Sequence, residues 1–299
     1  MNYTIENEDL RVVISSLGAE VQSVVRKSDD KELWWQGDPR FWDGRSPILF
    51  PACGGLWNGV YTYQGSVYQM PKHGFVKDKE WEMIEQTAPD SITFAFHDTE
   101  QTRELYPFRF ELRITYQLCG LKLECLYSVA NHEQDRLMPY QTGGHPAIAL
   151  PDYAEGAEVI GYIQPKDKSE INAACLSVVR AGEQGCWSRQ RHAVPSTWDG
   201  LIPISEETFA NEALIFDHNQ IHGVNILDLN RNILASISSD APVWLFWQQQ
   251  NLLCPYICAE PWFGLCDLQN ESVDLIERPY TLTAAPGNVT GGTLWAATF

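Results

Sequence analysis

Three short segments of this sequence place a titratable side chain beside glycine or proline. They are Pro71-Lys72-His73-Gly74-Phe75, Gly143-Gly144-His145-Pro146 and Cys258-Ala259-Glu260-Pro261-Trp262. Glycine opens backbone conformations closed to other residues, and proline fixes one. Loops held on a rigid scaffold are common homes for catalytic groups. A histidine and a carboxylate are what general acid–base chemistry needs, one group to give a proton and one to take it. The two glycines before His145 let backbone or ligand approach closely. The tryptophan beside Glu260 could desolvate the carboxylate and raise its proton affinity. Taken singly, each residue reads more readily another way: His73 and His145 as surface groups, Glu260 as a structural or exposed one.

The elements that must carry these segments read as strand after strand. Phe108 to Tyr116 alternates strictly, with Phe, Phe, Leu, Ile and Tyr on one face, and Leu121 to Val129 alternates after a turn at Cys119-Gly120. A period of two marks half-buried strands of an antiparallel sheet. Val60–Tyr63, Gln64-Gly65 and Ser66–Met70 read as a hairpin. Further strands are expected at Leu10–Ile14, Glu20–Val25, Glu32–Trp35, Glu80–Glu85, Ser91–Phe96, Gly223–Asp228, Ile233–Ile237 and Val243–Trp247. Helical signals are few; Ser205 could cap a short helix. Residues 164–200 are the least regular and are expected to form long loops. No Pro/Gly/Ser-rich linker divides the chain. The expected fold is all-β, one domain over residues 1–299, a large sandwich of antiparallel sheets.

Composition narrows the function. Lys plus Arg number 21 against 39 Asp plus Glu, a net charge of −18, which argues against nucleic acid and anionic membrane as partners. Hydrophobic residues make up 44%, with 11 Trp, 12 Tyr and 12 Phe, too much apolar surface for a solvated coil. No run approaches the ~20 apolar residues of a membrane helix. The opening residues lack a basic segment followed by an apolar run, so no secretory signal is read and a cytoplasmic location is expected. The eight cysteines contain no Cys-x-x-Cys pair, and no set at metal-ligand spacing completes a zinc site. Reduced thiols and no metal are the expectation. Tryptophan is also a natural floor for the apolar face of a sugar ring.

The ordered set of motifs resembles the aldose 1-epimerase (galactose mutarotase) family, in its shorter bacterial branch. The resemblance starts at Leu17-Gly18-Ala19-Glu20 and Glu32-Leu33-Trp34-Trp35-Gln36-Gly37-Asp38 and runs through Phe41-Trp42, Ser46-Pro47-Ile48-Leu49-Phe50-Pro51, His73-Gly74-Phe75 and Tyr106-Pro107-Phe108. It ends with Gly143-Gly144-His145-Pro146, Glu260-Pro261-Trp262 and Pro286-Gly287. It implies a galactose mutarotase-like supersandwich and interconversion of the α and β anomers of an aldose, without cofactor. It implies Glu260 as the base for the O1 proton and His145 as the acid for the ring oxygen, protonated at the start. It implies His73 as a sugar-orienting histidine. It makes Asp217 a sugar-binding candidate, which reads equally as a turn carboxylate. Trp262 and Trp35 are the expected stacking residues.

One departure bears on substrate. Many members of the family carry an arginine in the stretch matching Pro51 to Gly59, where Gly55 and Gly59 stand here. Asn58 could donate one hydrogen bond, and Arg45, from a neighbouring loop, could supply the charge or be an ordinary surface arginine. The departure leaves open a carbohydrate-binding or sensing protein; a mutarotase of a modified sugar such as a sugar phosphate is the other alternative, weakened by the missing arginine and by the acidic balance. The partner expected in each case is a small-molecule sugar; monomer and homodimer are both compatible with the sequence.

Overall fold

Alternation in the sequence becomes layering in the molecule. In the computed structural model, which describes residues 1–167 and 177–299, Phe108, Phe110, Leu112, Ile114 and Tyr116 are all fully buried. The strand Phe110–Cys119 pairs antiparallel with Ser91–His97 and with Lys122–Asn131. These belong to a nine-stranded antiparallel sheet. Its order is Ile202–Pro203, Tyr162–Asp167, Ile221–Leu227, Ile233–Ser238, Val289–Thr298, Lys122–Asn131, Phe110–Cys119, Ser91–His97 and Glu82–Ala88.

A second sheet of eight strands is ordered His192–Ala193, Ser177–Arg180, Leu214–Phe216, Val243–Trp247, Tyr256–Phe263, Thr142–Gly144 and Ile48–Leu49. Ala147–Ala149 also pairs with Tyr256–Phe263. The strand Tyr256–Phe263 is buried on both sides. Ile257 and Ala259 join the main core together with Leu294, Trp295 and Ala297 of the nine-stranded sheet. Tyr256, Cys258, Glu260 and Trp262 alternate with them and point to the other face. Burial on both faces removes period-two alternation, so this stretch does not announce itself as a strand.

A four-stranded sheet (Asn2–Glu6, Leu10–Ser15, Val21–Arg26, Lys31–Glu32) and two ribbons complete the β structure. One ribbon is the expected hairpin Val60–Tyr63 with Ser66–Gln69. The short helix Glu206–Phe209 is capped by Ser205, whose hydroxyl accepts from the Thr208 N–H. A second helix, Glu100–Leu105, was not expected. Thr99 caps it, and six residues are too few for a helical period to show. The expectation of long loops over 164–200 is corrected in part. Tyr162–Asp167, Ser177–Arg180 and His192–Ala193 are strands at or next to sheet edges, where neighbours supply the pairing, and the described residues between and after the last two are largely irregular. Residues 168–176, with Cys175, lie outside the described residues. No helix among the described residues is long and apolar enough to cross a membrane.

The glycines before His145 serve close packing between the sheets. A Cβ on Gly144 would lie 2.3 Å from Cδ1 of Trp295, and one on Gly143 would lie 2.7 Å from Cδ1 of Trp262. Trp295 is fully buried and cannot step aside cheaply. Gly144→Ala should therefore lower stability by about 1–3 kcal/mol. Gly292→Ala, whose Cβ would meet only Tyr127 at 4.0 Å, should stay within about 0.5 kcal/mol of the parent. Urea denaturation of both variants checks this; equal losses would show that Trp295 does not constrain Gly144.

Candidate active site

Strand register brings the two proton-transfer candidates together. Gly143 pairs with Trp262 and Ala147 with Cys258, both against the strand Tyr256–Phe263. Counting inward from either pair sets His145 opposite Glu260. The ladder opens at His145-Pro146, although the Ala259 N–H still donates to the Pro146 carbonyl at 3.0 Å. His145 Nε2 lies 3.2 Å from Glu260 Oε2, and both residues are buried.

Both line a cavity of about 660 Å³, within the usual range for small-molecule sites. Trp42, Trp247 and Trp262 form aromatic wall, and His73, Lys72, Glu212 and Gln249 add polar groups. The Trp42 ring lies 5.0 Å from the His145 ring at 35°. His73 meets His145 edge-on at 5.8 Å and Trp262 at 5.5 Å.

Electrostatics differ from the expectation that His145 starts protonated. Burial pushes His145 down to about 3, with the Lys72 charge acting the same way against a backbone hydrogen bond that raises it. Burial pushes Glu260 well above the usual carboxylate range, opposed by Lys72. Ion-pair attraction at 3.2 Å is worth about 5 kcal/mol at an effective dielectric of 20. Desolvation costs several kcal/mol for each of two ions. Burial of both groups therefore works against the ion pair and favours the uncharged forms, imidazole beside carboxylic acid. His73 is also held well below its ordinary value, by burial first and by Lys72 and His145 next. Its Nδ1 accepts the Gly54 N–H at 3.2 Å, which leaves the proton of the neutral ring on Nε2. Cys258, on the same strand face as Glu260, is raised well above an ordinary thiol by burial and then by Glu260. Among the described residues, His145, Cys258 and Glu260 are the group that could hold a metal ion.

Backbone geometry fixes His73. His73 and Gly74 both have left-handed φ, of 68° and 72°. A Cβ on Gly74 would fall 1.9 Å from the Phe50 carbonyl oxygen, which accepts the Phe75 N–H. Below the cavity floor a buried pair, Arg278 Nε and Asp267 Oδ1 at 2.8 Å, ties neighbouring loops together. Asp267 also accepts the Trp57 N–H, and Arg278 donates to the Leu265 carbonyl.

The other expected contacts fall outside the cavity. Both oxygens of buried Asp217 accept from Arg191 Nη2, at 2.8 and 2.7 Å, and His218 Nδ1 stands 2.8 Å from Oδ2. Its acceptors are taken, as for a turn carboxylate. The Arg45 guanidinium donates to the Gln36 carbonyl at 2.6 Å, away from the cavity. Asn58 is exposed, and its N–H donates to Gln184 Oε1. Trp35 is buried behind the wall; its Nε1 donates to the Trp42 carbonyl at 2.9 Å and its ring packs on Tyr256. It positions Trp42, which takes the place at the cavity expected for Trp35. Gly55 has no room for an arginine, since a Cβ there would lie 2.1 Å from the Gln184 carbonyl oxygen.

Trp42, Lys72, Trp247 and Glu212 were not singled out from the sequence. Lys72 sits beside His73 within a quoted motif, and Phe41-Trp42 was itself a motif, so both carried a signal. Glu212 carried none.

The comparisons with known proteins agree with this architecture. The family model described as "Aldose 1-epimerase" matches residues 1–295. A galactose mutarotase related enzyme from Lactobacillus acidophilus is 32% identical, with a TM-score of 0.88 over 100% of this chain and 97% of that one. A galactose mutarotase-like protein from Lactobacillus casei is 26% identical, with a TM-score of 0.89 over 100% and 99%. The chromosomal protein LacX of Lactococcus lactis subsp. lactis is 29% identical across 96% of this chain and 95% of its own length. With its register-opposed histidine and glutamate on a galactose mutarotase-like fold, the chain belongs to the aldose 1-epimerase family.

Proposed function

We propose that the protein is a mutarotase that interconverts the α and β anomers of a neutral aldose. The observation that carries this reading is the contact between His145 Nε2 and Glu260 Oε2 at the wall of an aromatic cavity. Opening a cyclic hemiacetal requires that O1 lose a proton while the ring oxygen gains one. The free aldehyde then turns about its C1–C2 bond and closes on the other face. The pair holds one transferable proton whether written as imidazole with carboxylic acid or as imidazolium with carboxylate. Sugar hydroxyls entering the cavity resolvate the pair and favour the second form. Glu260 then accepts the O1 proton as His145 protonates the ring oxygen, and closure reverses both transfers. His73, with its free N–H, orients the sugar, and Trp42, Trp247 and Trp262 give it apolar faces.

Charge supports a neutral substrate. Glu20, Asp43, Asp78, Glu212 and Glu260 line the cavity against Lys72 and Lys77, and Lys77 is bound to Asp78 at 2.6 Å. Lys72 alone is a poor receptor for a phosphate dianion, which favours arginine forks or several cations. The same reading takes residues 1–299 as one unit, supported by a core cluster that runs from Ile5 to Ala297.

Glu260→Gln and His145→Ala should each reduce kcat/KM for mutarotation by ~10²–10⁴-fold, followed by polarimetry from a pure α-aldose. Full activity in either variant would refute the assignment. Trp42→Ala should weaken sugar binding several-fold through lost ring contact. Asp217→Asn should leave KM within about twofold, since its carboxylate faces Arg191 and not the cavity. A large rise in KM for Asp217→Asn would restore Asp217 to the site.

A further inference from the structure

We propose that His145, Cys258 and Glu260 form a binding site for a thiophilic divalent cation of the zinc class, and that its occupation silences the enzyme. Among the described residues these three form the one cluster of potential ligands, with all ligand atoms within 4.8 Å of one another and all three residues buried. Cys258 and Glu260 stand two apart on one strand face, and His145 faces Glu260 across the register, so the backbone fixes the set. Nitrogen, thiolate sulfur and carboxylate oxygen are the donors zinc prefers.

The spacing suits a tetrahedral ion. Zn–N and Zn–O bonds of about 2.0–2.2 Å place such ligands roughly 3.3–3.5 Å apart, and His145 Nε2 and Glu260 Oε2 are 3.2 Å apart. The sulfur must come to roughly 3.6 Å from the nitrogen, given a Zn–S bond of about 2.3 Å. A modest side-chain adjustment covers that approach. Three protein ligands leave a fourth position open, and His145 and Glu260 of the set line the cavity. A second observation concerns the carboxyl itself: Glu260 is 1% exposed, and among the described residues its Oε2 has the 3.2 Å approach to His145 Nε2 but no full hydrogen bond. Cys258 itself has no part in the proton transfers proposed above.

A bound cation would occupy the lone pairs that the acid and base use. The Cys258 thiol and the Glu260 carboxyl would release their protons to solvent, and two negative ligands would balance the dication. The inhibitory half of this proposal rests on the epimerase reading; the binding half does not.

The test titrates metal-free protein with Zn²⁺ by calorimetry and with Co²⁺ by absorbance, and repeats polarimetry with Zn²⁺ and then a chelator. The expected result is one site per chain, a thiolate–cobalt charge-transfer band, and mutarotation lost with Zn²⁺ and restored by the chelator. Cys258→Ser and Cys258→Ala, checked for a native urea midpoint, should lose the band and bind Zn²⁺ more than tenfold more weakly, on the order of ligand-shell losses in other sites. Cys119→Ser, at an exposed free thiol, should bind like the parent. Absence of binding, or equal binding in both Cys258 variants, overturns the site. Full mutarotation in the zinc-loaded protein overturns the inhibition. A chain that binds zinc through Cys258 yet shows no mutarotation when metal-free refutes the epimerase reading and leaves the site standing.

Discussion

Water exclusion around His145 and Glu260 is the constraint that organises the rest of this molecule. A carboxylate and an imidazolium in water are fully solvated and poor at holding a proton between them. Removing water sets attraction against desolvation, and burial favours the uncharged distribution, imidazole beside carboxylic acid. Burial this complete is unusual for a site that must also admit a ligand. The fold manages it by placing Glu260 on the outer face of Tyr256–Phe263, a strand whose inner face is already core. Aromatic rings then cover the outer face from the sides. Trp35 and Tyr256 back Trp42, and Trp42 lies against His145.

The alternating strands were legible because one of their faces meets the core and the other meets water, as in Phe110–Cys119. The histidine and glutamate were legible through their glycine, proline and tryptophan neighbours, which the structure accounts for sterically: Gly143 and Gly144 are flanked by Trp262 and Trp295. The strand Tyr256–Phe263 was hidden by burial on both faces. Asp217, Arg45 and Asn58 lie near motif segments in sequence, yet each has a local partner that draws it away from the cavity. Sequence proximity carries no information on which way a loop side chain turns. The expectation of a protonated His145 assumes an ionised neighbour, and burial works against both charges. A neighbouring carboxylate favours imidazolium only where the carboxylate is itself ionised, and the depth of burial that prevents this depends on the fold.

Absence of an arginine at Gly55 acquires a steric meaning. The segment Gln184–Gly185 fills the space, and the Gly55 N–H donates to the Gly185 carbonyl. Lys72, adjacent to His73, packs near Gly185 and contributes the cavity's unneutralised positive charge. An ammonium offers a point charge in place of a planar fork. The cavity lining therefore offers aromatic ring faces and single hydrogen-bonding groups in place of a bidentate clamp.

The strand Val289–Thr298 pairs with Lys122–Asn131 on one side and Ile233–Ser238 on the other. Without it the nine-stranded sheet is two separate half-sheets, each ending in an unsatisfied edge. Its partners are separated from it by long stretches of chain, a topology that folds slowly and leaves such edges open for a time. The same strand delivers Trp295 to the underside of Gly144, one residue from His145. The sheet and the surroundings of His145 are therefore completed by one event, the docking of Val289–Thr298. Until it docks, the two half-sheets are open to edge-to-edge association.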